Sequence, residues 1–416
     1  MRYNHQLILI IAAAFFAAFS LSAADELLIR SRSGDIASQL QLATEYFHGK
    51  NRRKNLPLSL YWFRKAAAAN SPHAQYNLAL FLHNGIGTQA NPAAAFHFYG
   101  LAMDQGISKA AVRYAEMLFS GVEEGSYYEL VLPAVKSDPE RALNILRKCV
   151  KSGETDALLP LARYLFADAA SHGAELRKML EQYCSNTTDP DPEALVIYAA
   201  CLRSGLGGFI PDPPAGAAIL RKAAEKKHPE AIAQLAEMMF NGFGMPADRK
   251  QALKLYDEAR KLGSSRAMTD IAGLKQMGIY MPHDPVGAFE LLKSAGEKNY
   301  PPALKKLGDC YAYGIGTEKN HAKALEFYQL AAEKGSNQAA FLLGCCFRDG
   351  QMTPKNYSAA FSYFHKAALA GHPGAMREAG KALLEGRGVV RDYAAGMEFI
   401  RTAARAGDRE AAEYLR

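Results

Sequence analysis

An all-α chain of stacked helical hairpins is the architecture this sequence predicts, and three regularities predict it. Alanines at 231, 267, 303, 339, 375 and 411 lie 36 residues apart, as do Ala74 and Ala110. Eleven residues beyond each such alanine (Ser38 in the first repeat) a glycine recurs, as at Gly49, Gly85, Gly121, Gly242, Gly314 and Gly386. Near the seventeenth position stands Asn or Asp, as at Asn55, Asn91, Asp212, Asp248, Asp284, Asn320, Asn356 and Asp392. A period of this length with such punctuation is the mark of a solenoid.

Within one unit the residues assign the elements in order. From the alanine to the glycine, apolar residues fall at helical spacing, as in Ala303, Leu307, Gly308 and Tyr311. This predicts helix A, ended by a glycine in the left-handed conformation. The Asn or Asp then caps helix B, whose inner face reads Ala324, Phe327, Tyr328, Ala331 and Ala332. That stripe is amphipathic, with a small-residue edge for close approach. A second Gly or Asn, as at Asn70, Gly106, Asn299 and Gly335, ends helix B. Helices this short are unstable alone, so each pair buries its stripe against the next. No segment reads as a strand.

Composition excludes other classes. The chain has 416 residues, 49% hydrophobic and 22% charged, with a formal net charge of +7. It is too apolar for a disordered protein and long enough for an extended array. Basic and acidic residues are interspersed along the chain, as in Glu225–Lys227, and no basic run stands out, so no nucleic-acid partner is expected. The one long apolar run, Leu7–Leu21, is fifteen residues, short for a membrane span. Arg2 before it and Ser22-Ala23-Ala24 after it predict a signal peptide over residues 1–24, cut before Asp25. An uncleaved anchor is the alternative. No cysteine follows the run, so a lipoprotein is not expected. The mature chain, carrying +6 without Arg2, is expected to be periplasmic or secreted, with no membrane span.

The pattern A-x-x-x-L-G-x-x-Y-x-x-G, a turn, then D/N-x-x-K-A-x-x-[FWY]-[FY]-x-x-A-A-x-x-G resembles the Sel-1-like repeat, a relative of the tetratricopeptide repeat. Gly308–Gly335 carries it almost whole, and Trp62 stands where the family often has its helix-B aromatic. The resemblance covers about residues 35–416. It implies a right-handed α/α superhelical solenoid of about ten repeats whose concave face binds other proteins. The cysteine-rich secreted branch of that family places two cysteines within each repeat, and this chain does not. Its six are Cys149, Cys184, Cys201, Cys310, Cys345 and Cys346. Cys201, Cys310 and Cys346 share one helix-A position, and helices one repeat apart stand beyond disulfide reach. Buried thiols are the expectation.

Two repeats depart from the pattern. The third carries eleven extra residues between Gly121 and Asp138, an insertion at 122–137 that includes Tyr127 and Tyr128. The fourth, residues 154–191, has Asp168 and Ala174 in place of the glycine and the cap. The expected organisation is therefore repeats over 35–153, a degenerate repeat or hinge over 154–191, repeats over 192–407 and a capping helix over 408–416.

No catalytic constellation is present. G-x-G occurs five times, as at Gly85/Gly87 and Gly314/Gly316, but after a helix, where it is a helix stop rather than a phosphate cradle. G-x-S-x-G, H-E-x-x-H, the Walker lysine and the S-x-x-K, S-D-N and K-T-G set are all missing. His73, His228 and His372 fall in B-to-A turns, where a polar turn residue is the ordinary reading, so neither metal nor cofactor is expected. In the tetratricopeptide fold the helix-A positions −1, +2, +6, +9 and +10 face the concave groove. Here they include Tyr76, His83, Asn84, Lys305, Tyr313, Arg348 and Arg377, types that anchor interfaces. The function expected is an exported protein–protein scaffold in the cell envelope, with a protein or peptide along the groove. The alternatives are a cell-wall-associated hydrolase resembling a β-lactamase and a binder of an anionic envelope polymer.

Overall fold

The computed structural model describes residues 23–128 and 130–416. Most of the expected signal peptide, residues 1–22, lies outside them. The described residues hold 22 α-helices, and the chain divides into two compact units, residues 1–180 and 181–416. None of these helices is long and apolar enough to cross a membrane.

Each regular repeat is built as the residues require. In repeat eight, helix A runs Pro301–Tyr313 and ends at Gly314, whose φ of 73° and ψ of 38° are left-handed. The Gly314 N–H donates to the Cys310 carbonyl, closing the last turn. The Asn320 side chain then accepts from the Lys323 N–H at 3.0 Å and starts helix B, His321–Glu333. Asn55, Asn91, Asp138, Asp212, Asp248, Asp284, Asn356 and Asp392 cap their helices B the same way. The alanines that set the period are fully buried, among them Ala74, Ala110, Ala231, Ala267, Ala303, Ala339 and Ala375.

Two kinds of glycine are explained by close approach, the second kind by a left-handed turn as well. A Cβ on Gly308 would lie 2.4 Å from the Tyr328 ring, and one on Gly344 2.5 Å from the Phe364 ring. The glycine of helix A is thus the seat of the helix-B aromatic. In the G-x-G turns the second glycine meets backbone of the preceding repeat: a Cβ on Gly87 would lie 2.8 Å from the Leu56 carbonyl carbon, and one on Gly388 2.2 Å from that of Tyr357. These turns rest on the start of the previous helix B, which leaves no room for a phosphate.

The insertion corrects the expectation that no strand occurs. Gly125–Tyr127 and Leu130–Leu132 pair antiparallel, Ser126 opposite Val131, and Val122 bridges Val135. The hairpin lies on helix B of repeat two, Pro92–Asp104. Asn91 serves both: its Oδ1 caps Ala94 while its Nδ2 donates to the Ser126 carbonyl at 2.8 Å. Gly125 sits so close to Ala93 that a Cβ would approach the alanine methyl to 2.7 Å. In the degenerate fourth repeat helix Leu158–Ala167 is separated from helix Ala169–Asn186 by Asp168 alone. Without the glycine and the cap, the A–B turn has collapsed and the second helix has grown to 18 residues.

Candidate functional site

Along residues 181–416 the helices A of repeats five to eight, Pro192–Ser204, Pro229–Asn241, Ser265–Met277 and Pro301–Tyr313, each touch the next. Equivalent positions therefore neighbour one another, and long side chains bridge repeats. Arg266 donates from Nε to Glu230 Oε1 at 2.6 Å and also pairs with Glu237 at 3.5 Å. Arg203 donates to Gln234 Oε1 at 3.0 Å.

The cations expected to meet a partner belong to this same lattice. Arg348 pairs with Asp349 at 2.7 Å and with Glu378 at 2.6 Å, and lies over the Phe364 ring. Arg377 pairs with Asp408 at 2.7 Å and reaches Glu378 and Glu410. Lys305 pairs with Asp309 at 2.8 Å, and Asp309 also accepts from the Tyr328 hydroxyl. One group stands outside the lattice: Asp270 Oδ2 is buried and accepts no hydrogen bond. Burial pushes its pKa up to about 6, against the opposing pull of Arg266.

A set of exposed apolar side chains lies at or beside the A–B turns of these repeats. Tyr313 is 71% exposed, and Leu206, Phe243, Met277, Ile279 and Tyr280 are exposed at or beside the same A–B turn of repeats five to seven. Arg203 lies over the Phe243 ring, and Arg249 over Tyr280 at 5.2 Å. Except for Tyr313, this row was not nominated from the sequence, although the spacing of Leu206, Phe243 and Ile279 by one repeat was there to find it.

In residues 1–180, Tyr76 and His83 both rest on the fully buried Tyr99 ring, each at 6.0 Å. Asn84 is exposed and donates to the Leu80 carbonyl at 2.9 Å. Tyr127 turns inward against Phe98 at 5.3 Å, while Tyr128 stays exposed. Arg64 lies over both tyrosine rings. His228 and His372 each accept, through Nδ1, the N–H three residues on and so cap their helices A. Ser71, Ser264 and Ser336 do this elsewhere. All six cysteines are free thiols, four of them buried. Burial pushes Cys201 and Cys310 up to about 11, so neither is a ready nucleophile.

Tandem helical hairpins presenting a patterned surface define an α-solenoid of the interaction type. The Sel1 repeat family matches residues 36–71, 72–107, 192–228, 229–264, 265–300, 301–336, 337–372 and 373–408. The chain belongs to the Sel1 repeat family, whose members are generally protein-interaction scaffolds. The match passes over the insertion and the degenerate repeat. An uncharacterized protein of Neisseria meningitidis is 26% identical over 247 residues, 51% of this chain and 48% of that protein. Chitin synthase regulatory factor 3 of Schizosaccharomyces pombe is 36% identical over 73 residues, 18% of this chain and 8% of that protein. The chain thus spans about half the length of the first relative and a small part of the second. Among solved structures, a protective antigen of uropathogenic Escherichia coli is similar at 24% identity and a TM-score of 0.48, over 92% of this chain and 79% of that one. A Sel1 repeat protein of Oxalobacter formigenes is similar at 19% and 0.47, over 96% and 92%.

Proposed function

We propose that this protein is an exported scaffold of the cell envelope and that its partner, an extended protein segment, lies along the A–B turns of repeats five to eight. The observation that carries this is the row of exposed apolar side chains Leu206, Phe243, Met277, Ile279, Tyr280 and Tyr313. Soluble proteins keep contiguous apolar patches small unless they bind there, and aromatic side chains held by neighbours lose little entropy on binding. The arginines over Phe243 and Tyr280 provide that restraint. The Leu7–Leu21 run with the small residues after it supports export. Because Lys305, Arg348 and Arg377 are already paired to carboxylates, apolar contact with a protein is favoured over recognition of an anionic polymer.

The test is capture by crosslinking from envelope extract, comparing the native chain with the triple variant Phe243→Ala, Tyr280→Ala, Tyr313→Ala at equal helicity. A partner retained by the native chain and lost by the variant is expected. Equal capture by both would remove this edge as the site.

A further inference from the structure

Two departures from the repeat, more than twenty residues apart in sequence, meet in space. The first is the hairpin that repeat three alone inserts. The second is Gly100, ninth residue of helix Pro92–Asp104. In the other helices B that position holds a long or polar side chain: Arg64, Arg147, Arg221, Lys293, Gln329 and Arg401, with Asp257 and His365 in the remaining two. Glycine weakens a helix interior, so its place among these is a departure with a local cost. A Cβ there would come within 3.3 Å of the Tyr114 ring, so the glycine lets that ring lie close, and beside both is a cleft of about 280 Å³ between that helix and the hairpin. Phe96, Gly100, Leu101 and Tyr114 line one side, and Val122, Leu132 and Val135 the other.

The walls specify a guest. Phe96 and Tyr114 stack at 4.1 Å and present aromatic surface. Two hydrogen-bond acceptors also line the cleft, Asp104 and His97. The imidazole is half-buried, and burial lowers its pKa, which keeps it neutral at pH 7 with one nitrogen free to accept. We propose that this cleft is a second binding site, separate from the A–B turns of residues 181–416, and that it takes one donor-bearing aromatic ring, the indole or phenol side chain of a peptide partner. An apolar cleft with acceptors at hand favours a ring that buries a face and donates from its edge. A volume of about 280 Å³ admits one such ring and not a folded domain.

The experiment is a saturation-transfer NMR titration of the full chain with indole, N-methylindole, cyclohexanol and N-acetyl-tryptophanamide. Saturable binding of indole is expected, with N-methylindole about fivefold weaker, the ratio of one neutral hydrogen bond, and no saturation by cyclohexanol. N-acetyl-tryptophanamide, which carries the peptide backbone, is expected to bind at least as well as indole. The variant Gly100→Arg, which restores what other repeats carry, is expected to weaken indole about tenfold or more at unchanged helicity. Equal affinity for indole and N-methylindole, or indole binding untouched by Gly100→Arg, would overturn the proposal. So would exclusion of N-acetyl-tryptophanamide while indole binds. Should Gly100→Arg fail to fold, the comparison of indole with N-methylindole on the native chain decides alone.

Discussion

Arg64 Nη1 donates to the Tyr128 hydroxyl at 2.5 Å, joining helix B of the first repeat to the tip of a hairpin inserted in the third. The guanidinium also lies over the Tyr127 and Tyr128 rings at 5.5 and 5.1 Å. One side chain thus clamps the only strands among the described residues. Arg64→Ala is expected to loosen the hairpin by about 1 kcal/mol without touching the helical core. Faster hydrogen exchange confined to 125–132, at unchanged circular dichroism, is the observation that checks it.

Gly308→Ala is expected to destabilise residues 181–416 although alanine is the better helix former. The added methyl would lie 2.4 Å from the buried Tyr328 ring, and overpacking of this kind costs about 1–3 kcal/mol. A lower chemical-unfolding midpoint, recovered when Tyr328→Leu is added, would show that the ring is the cause. Fluorescence of Trp62, the one tryptophan, follows residues 1–180 separately.

Arg377→Ala is expected to act on stability. It would leave Asp408, only 9% exposed, without its cation, while Glu378 would keep Arg348 at 2.6 Å. Asp408 also caps the last helix, Arg409–Tyr414, through the Ala411 N–H. A loss of about 2 kcal/mol with fraying of that helix is the expected result, measured by thermal unfolding and by exchange at residues 409–414.

Acid and base act on this chain with opposite signs at two positions. Asp270, faced by Arg266, Glu237, Lys306 and Glu230, titrates near 6 when folded and near 3.8 when unfolded. Its stabilising contribution is complete below about pH 4 and is lost as pH rises through 6. At pH 7 the buried charge costs on the order of 2–3 kcal/mol. Asp270→Asn is therefore expected to raise the unfolding midpoint at pH 7 and to change it little at pH 4.

His372 works the other way. Its Nδ1 caps helix A of repeat ten only when unprotonated, and burial lowers its pKa below the usual 6.5. Its stabilisation is present above about pH 6.5 and fades as pH falls. His372→Ser, which caps at any pH, is expected to keep native stability at pH 7.5 and to gain about 1 kcal/mol at pH 5. Parallel melts of the two chains across that range provide the check.

The repeat, its helix boundaries and its caps were legible because they rest on local chemistry. Asn320 caps the helix that begins at the next residue, and Gly314 turns the chain where it stands. The surface was less legible. Tyr313 was found by its position, but Lys305, Arg348 and Arg377 looked like free cations in the sequence. The carboxylate lies four residues away for Lys305, one and thirty away for Arg348, and chiefly thirty-one away for Arg377, in the next repeat. The hairpin was missed because its strands, Gly125–Tyr127 and Leu130–Leu132, are three residues each. So short a pair carries no period and forms only against the helix beneath it.

By itself, then, the sequence determined that this is a solenoid, where the helices of its regular repeats begin and end, and that Cys201, Cys310 and Cys346 sit at one buried helix-A position. Each of these follows from backbone conformation and helical spacing within some forty residues. Only the tertiary structure decided which charges are spent on one another, that Asp270 is left over, and that Gly100 and the inserted hairpin border one cleft. Those outcomes depend on distances between side chains a repeat or more apart, which are set when the hairpins stack.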